Sequence, residues 1–266
     1  MSDNREASAH VGRPGAGVPQ DTGGRGVNVS RAEIVVGALA ELFRGDGPIV
    51  ASPIGFLPTL GARLARLTFE PDLLLSDGEA YLVDVDGEIE GWQPYRKMLE
   101  VIVPHGRRHV VMGASQIDRW GNQNISAIGD HARPAKQLLG VRGAPGNTAN
   151  HRTSYWIPRH SKRAFVDAVD VVSGVGYDNA AKAGLRFHDV YRVVTNLGVF
   201  DFATPSHSMR AVSLHPGVTA EEVAAATSFE LDCSGASVTP EPTAEQLRLI
   251  REVLDPKSLR DKEVPA

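Results

Sequence analysis

Gly113-Ala-Ser-Gln-Ile-Asp-Arg-Trp-Gly-Asn-Gln-Asn-Ile-Ser126 follows the apolar run His109-Val-Val-Met112. The run has the length and character of a short buried strand. The stretch after it is polar, rich in amides and marked by a turn signal at Gly121-Asn122. Open α/β sheets present their sites at the carboxyl ends of strands, which is where such a loop begins. Gln116 and Asn124 are therefore candidate site-lining residues; with Asn122, they are equally suited to holding their own loop by side-chain to backbone bonds.

Outward from this loop, helical and strand patterns alternate. Ser30-Arg-Ala-Glu33 is a capping box, followed by Ile34, Leu39, Leu42 and Phe43 at roughly helical spacing and closed by Gly45 and Gly47. Pro48–Ala51 is a strand candidate, and a helix is expected around Leu60 to Leu67. Asp72-Leu-Leu-Leu75 reads as a buried strand ending in Ser76-Asp77-Gly78, and Tyr81–Asp84 as another before the Asp86-Gly87 turn. Phe165–Val172 has strand-like apolar patterning. Tyr191–Phe202 reads as two strands with a turn near Asn196–Gly198, and Arg210–Thr219 as a strand leading to a helix start. Thr219-Ala-Glu-Glu222 and Thr243-Ala-Glu-Gln246 are two more capping boxes, the second opening an amphipathic helix with Leu247, Leu249, Ile250 and Leu254 on its apolar side. The alternation argues for an α/β protein with an open, mostly parallel sheet flanked by helices.

The 266 residues carry a net charge of −4 without a basic block, so nothing points to nucleic acid or an anionic membrane surface. A single cysteine, Cys233, excludes an internal disulfide and suits a reducing cytoplasm; it reads as an inert core thiol. No apolar run reaches the roughly 18 residues of a membrane span, and no signal-peptide core is visible. Residues Met1–Asn28 are dominated by Gly, Ser, Asp, Arg and Pro and are expected to form a disordered tail ahead of a single domain over 29–266. No cluster has metal-ligand spacing, and no glycine fingerprint supports a nicotinamide cofactor.

A second loop, Gly140-Val-Arg-Gly-Ala-Pro-Gly-Asn147, has glycines that permit positive φ and close backbone approach. Its amides at Gly143, Ala144, Gly146 and Asn147 are candidates for cradling an oxyanion or a phosphate.

The Gly113–Ser126 stretch resembles the Gly-Ala-x-Gln-(Ile/Val)-Asp-x-(Tyr/Trp)-Gly-Asn-x-Asn segment of β subunits in the family I coenzyme A transferases. The second loop is similar to the family's Gly-x-Gly-Gly-Ala-x-Asp segment, with Arg142 at the second glycine and Gly146-Asn147 where the family often ends in aspartate. Val193–Phe200, Leu214–Val223 and Thr227–Phe229 resemble the family's last strand and its His-Pro-Gly-Val-Thr tail. Residues there read as structural, His215 as a packed or capping residue. The resemblance runs from about Ser30 to the end and implies the CoA transferase (NagB/RpiA-like) fold.

One departure decides the chemistry. Transferases of the family place a nucleophilic glutamate in Glu-(Asn/Ser)-Gly after a strand, and it carries CoA as an enzyme thioester. Here Ser76-Asp77-Gly78 lies over that motif, so the nucleophile position is serine. Asp77 and Glu79 are the neighbouring carboxylates; Asp77, one position along, points to the opposite face in an extended segment. The combination resembles the actinobacterial CoA hydrolases that cleave the last steroid-derived ring. That implies an α2β2 heteromer acting on a 6-oxocyclohexene-carboxyl-CoA thioester by adding water, with no cofactor because coenzyme A arrives within the substrate. The general base, a glutamate, is then expected from the α subunit, so this chain contributes site lining at Ser76, Asp77, Gly78, Gln116 and Asn124 and oxyanion donors at 143–147. Two other readings stay open on the residues: a true transferase using Asp77 or Glu79, and a structural subunit without catalytic groups. Tyr155 and Trp156 read as packing residues, Arg107 and Arg108 as an exposed basic pair, and Arg119 and Trp120 as equally suited to substrate or subunit contact.

Overall fold

The first capping box forms as its sequence demands. Ser30 Oγ accepts the Glu33 N–H while a Glu33 carboxylate oxygen accepts the Ser30 N–H, and α1 (Arg31–Glu41) begins there. A computed structural model describes residues 28–78, 80–92, 94, 96 and 107–264. The expected tail lies outside them except for Asn28, as does Glu79.

After α1 come β1 (Val50–Pro53), α2 (Phe56–Thr68), β2 (Leu74–Ser76), β3 (Tyr81–Val83), β4 (Ile89–Trp92) and β5 (Arg108–Gly113). Two small hairpins follow, β6 (Gln116–Ile117) with β7 (Gln123–Asn124) and β8 (Ala127–Ile128) with β9 (Lys136–Gln137). The chain continues through α3 (Ala144–Asn150), β10 (Arg152–Ile157), α4 (Tyr177–Ala183), β11 (Asp189–Thr195), β12 (Gly198–Asp201), β13 (Arg210–Leu214), α5 (Ala220–Ala226), β14 (Ser237–Val238) and α6 (Ala244–Arg248). A wider π turn over Leu249–Leu254 extends α6.

The main sheet has the order β14-β13-β12-β11-β10-β5-β1-β2-β3-β4. Its centre, from β11 to β2, is parallel, and an antiparallel meander flanks it on each side through β3–β4 and β12–β13. Strand periodicity divides the core in two. Val111 and Trp156 face α1 and α2, joining Leu39, Phe43, Leu57, Leu60 and Leu64. Val110, Met112, Tyr155 and Ile157 face the other way, toward Ile117, Ala144, Phe165 and Phe229. Tyr155 and Trp156 are thus packing residues, one for each core.

Several expectations shift. The strand expected at Pro48–Ala51 sits at Val50–Pro53, and α2 starts earlier than its apolar spacing suggested. Phe165–Val172 forms no strand; Phe165 makes a single bridge to Ile117. Asp170 interrupts the pattern, its carboxylate accepting from Gln116 Nε2 and the Gly129 N–H.

Helices α1 and α2 pack at backbone distance because of Gly61. A Cβ built there would lie 2.6 Å from Leu39 Cβ and 2.9 Å from the Leu39 carbonyl carbon. Gly61→Ala is expected to destabilise by about 1–3 kcal/mol through overpacking, read as a lower urea midpoint; an unchanged midpoint would show that the helices part freely.

On the α1 side, a polar chain ties the strand starts together. Asp46 Oδ2 lies 2.6 Å from His109 Nδ1, and His109 Nε2 lies 2.9 Å from Ser154 Oγ. The other Asp46 oxygen accepts from Arg152 Nη1 at 3.1 Å. Farther along, Arg251 and Arg260 both donate to the buried Glu33, joining the carboxyl-terminal segment to α1.

Buried histidines make the fold acid-sensitive. Burial pushes His160 down to about 3 and His215 to about 4, and burial together with the Arg108 charge pushes His151 to about 4. His215 Nε2 lies 2.9 Å from the Thr195 carbonyl and Nδ1 lies 3.0 Å from Thr239 Oγ1, an arrangement suited to a neutral ring. Below the unfolded value of about 6.5, the unfolded chain binds protons that these rings refuse, so the histidine contribution falls from that point toward about pH 4 for His151 and His215 and about pH 3 for His160. Glu33 acts lower. Burial alone would raise it, but hydrogen bonds from Arg251 and Ser30 and both guanidinium charges hold it at about 2. Its contribution is complete above the unfolded glutamate value of about 4.3 and is lost as pH falls toward about 2. Urea midpoints should therefore decline already between about pH 6.5 and 5; a flat profile there would contradict the histidine assignment. Among the described residues, no helix is long and apolar enough to cross a membrane.

Candidate active site

The carboxyl end of β2 carries Ser76, and the neighbouring β1 carries Ser52 on the same face. Their hydroxyl oxygens are 3.0 Å apart. Arg108, the first residue of β5, reaches across toward them: Nε donates to Ser52 Oγ at 2.8 Å, Nη1 to Asn147 Oδ1 at 3.0 Å and Nη2 to the Gly78 carbonyl at 3.4 Å. Its side chain is buried, contrary to the reading of Arg107 and Arg108 as an exposed basic pair; only Arg107 is exposed. The strand explains the difference, because alternation sends Arg108 to the same face as Val110 and Met112.

Proton directions follow from these contacts. Ser76 Oγ donates to the Ala51 carbonyl at 3.1 Å and accepts from the Gly78 N–H at 3.2 Å. Ser52 accepts from Arg108 and gives its own proton to Ser76. The Ser76 hydroxyl therefore donates once and accepts twice, filling its capacity. It is 5% exposed, and its proton goes to a backbone carbonyl, which is no base. Among the described residues, nothing in this arrangement activates Ser76 as a nucleophile.

Asp77 is exposed, and its Oδ1 accepts from the Ala80 and Tyr81 N–H groups at 2.9 and 3.1 Å, closing the β2–β3 turn. Gly78 holds φ at +88°, a conformation that leaves glycine at this turn.

The Gly140–Asn147 segment is not the open glycine loop its composition suggests. From Ala144 it is helical, with Pro145 in the first turn. The Ala144 N–H donates to Val141 O and the Asn147 N–H to Gly143 O, so these two amides are not available to a ligand. Gly143 and Gly146 have ordinary negative φ; the left-handed positions are Gly140 and Arg142, the latter standing where the glycine of the pattern would be. What α3 offers instead is the Asn147 side chain. With Oδ1 held by Arg108, its Nδ2 meets, among the described residues, only Met112 Sδ at 3.8 Å, a weak acceptor. A Cβ at Gly143 would stand 3.4 Å from that nitrogen, and the glycine leaves this side uncovered.

Gln116 and Asn124 are committed elsewhere. Asn124 Nδ2 donates to Gln116 Oε1 and to the Ala127 carbonyl, and Gln116 Nε2 donates to Asp170. Asp118 completes the same loop by accepting from the N–H groups of Trp120 and Asn122 and from Asn122 Nδ2; burial pushes its carboxyl upward. Gly176 lies against this loop so closely that a Cβ would be 2.4 Å from Trp120 O. The structure thus joins Ser76, Gly78 and Asn147 through Arg108 and gives Gln116 and Asn124 a separate network that shapes the β6–β7 hairpin. Sequence reading also passed over His151. Register sets it beside Arg108, buried, with neither ring nitrogen bonded within the described residues.

A mostly parallel sheet with Ser76 at a strand end, a neighbouring helix and an amide-rich hairpin is the arrangement that the resemblance to the CoA transferase class implies, and comparison with known proteins bears the class out. The family model described as Coenzyme A transferase matches residues 98–226. The chain is 59% identical over 245 residues to the Cholesterol ring-cleaving hydrolase IpdB subunit of Rhodococcus jostii, covering 89% of this chain and 96% of that protein. It is 57% identical over 247 residues to the subunit of the same name in Mycobacterium tuberculosis, covering 88% and 98%. The crystal structure of Rhodococcus jostii IpdAB matches with a TM-score of 0.85 at 58% identity, over 90% of this chain and 100% of that one. This chain belongs to the coenzyme A transferase family.

Proposed function

We propose that this chain is the β subunit of an α2β2 hydrolase that opens the ring of a 6-oxocyclohexene-carboxyl-CoA thioester in steroid catabolism. The observation that carries the proposal is Ser76: at the family's nucleophile position stands a buried hydroxyl whose hydrogen bonds are all taken by Ser52, Ala51 and Gly78. The names of the relatives, ring-cleaving hydrolase subunits at nearly three-fifths identity, support the same reading.

The chemistry needs no covalent enzyme intermediate. A base on the partner subunit, a glutamate, takes a proton from water, and the hydroxide adds to the ring ketone. The bond between that carbon and the α-carbon of the thioester breaks, its electron pair moving into a thioester enolate, which then takes the proton back at carbon. The developing enolate oxygen needs donors. Asn147 Nδ2, which within the described residues meets only a weak sulfur acceptor, is the side-chain donor proposed for it, and Gly146, in the same turn, is a candidate backbone donor. Coenzyme A enters as part of the substrate, and no cofactor takes part. The Gly113–Ser126 hairpin shapes the wall of the site.

The test is co-purification with the partner chain followed by two assays on one thioester. Ring opening without exchange of CoA onto acetate or succinate is the expected result. Exchange without ring opening would replace the hydrolase by a transferase, and full turnover by the α chain alone would remove this subunit from the chemistry.

A further inference from the structure

The chemistry proposed above rests on the Asn147 amide facing the substrate with its N–H side, and an amide by itself has no preference between its two faces. We propose that Arg108 is the positioning residue that makes the choice: its buried fork fixes the Asn147 side-chain carbonyl oxygen and the Ser52–Ser76 hydroxyl pair at once, leaving Asn147 Nδ2 turned away from the guanidinium as the donor.

Three observations carry this. First, Arg108 Nη1 donates to Asn147 Oδ1 at 3.0 Å, and a guanidinium has no acceptor atom, so a flipped amide would set donor against donor. Second, Nε, on the same rigid plane, donates to Ser52 Oγ at 2.8 Å, so the plane is anchored on β1 while it holds α3. Third, among the described residues the other side of the amide meets only the Met112 sulfur, and Gly143 has no side chain to lay against it. Helix α3 and strands β1 and β2 are separate elements, and Arg108 bonds to all three: to Asn147, to Ser52 and, past the end of β2, to the Gly78 carbonyl. A lysine would keep the charge but not the fork, since one ammonium cannot reproduce the fixed geometry of Nε and Nη1.

The proposal depends on Asn147 being the donor, so both residues are varied in the co-expressed α/β complex. Arg108→Ala is expected to lower kcat for ring opening by about 100-fold with KM changed by less than about threefold, and added guanidinium at low concentration restores part of the loss. Arg108→Lys guards against a folding defect: its complex should assemble and melt like the parent, yet kcat remains low. The double variant Arg108→Ala/Asn147→Ala should be within about twofold of Asn147→Ala alone, because one interaction is removed twice. If Asn147→Ala is slow but Arg108→Lys turns over at the parental rate, or if the two losses multiply, Arg108 does not position the amide. If Asn147→Ala itself keeps full kcat, the donor assignment fails first and takes this inference with it.

Discussion

Replacing Asn147 by alanine in the α/β complex is expected to lower kcat for ring opening by about 100- to 1,000-fold, the usual range for losing one preorganised donor to a developing oxyanion. KM should move little, because the charge on the enolate oxygen arises only as the carbon–carbon bond breaks. Alanine also removes the acceptor of Arg108 Nη1, leaving part of a buried guanidinium without that bond. Asn147→Asp separates the two effects. A carboxylate oxygen can still accept from Arg108, and the side chain keeps its size, but no N–H remains to face the substrate. Equal losses of kcat in both variants, with a retained melting temperature for Asn147→Asp, is the expected pattern. An active Asn147→Asp complex would show that the amide does not bind the oxyanion.

The largest effect on stability is expected at Asp46. Asp46, His109 and Ser154 follow one another at 2.6 and 2.9 Å, the order of a Ser-His-Asp triad. Their setting is that of a core. His109 and Ser154 are fully buried, and the Phe43 ring lies 5.0 Å from the imidazole. This chain holds the amino ends of β5 and β10 to the loop after α1. Asp46→Ala strips the acceptor from buried His109 and from Arg152 together, for which removal of one partner of a buried pair typically costs about 3–5 kcal/mol. Urea unfolding of the purified chain or complex measures it; a cost below about 1 kcal/mol would show that the group is solvated and weak. A fluorophosphonate probe is likewise expected to leave Ser154 unlabelled.

The elements written in local chemistry were legible in the sequence. Each capping box starts a helix where its serine or threonine stands. The strand before Gly113 and the hairpin turning at Asn196–Gly198 are also where their patterns place them. Two parts of the site were not. Arg108 sits at a strand's first residue beside Arg107, and charge at such an edge ordinarily points to solvent; only the pairing with β1, which brings Ser52 within reach of its side chain, and the arrival of α3 above it show otherwise. Glycine count hid α3, although Pro145, in what becomes its first turn, was a usable signal for a helix start. Gln116 and Asn124 show the opposite case: amides in a promising loop whose bonds are consumed by the loop itself.

The central claim is that this subunit forms no covalent bond with the acyl group or with CoA. The direct measurement is the intact mass of this chain in the assembled complex, quenched with borohydride during turnover of the acyl-CoA substrate. An unmodified mass, while ring-opened product accumulates, is the result the structure predicts. A reduced carboxylate at Asp77 or Glu79, or a CoA adduct anywhere on the chain, would contradict it.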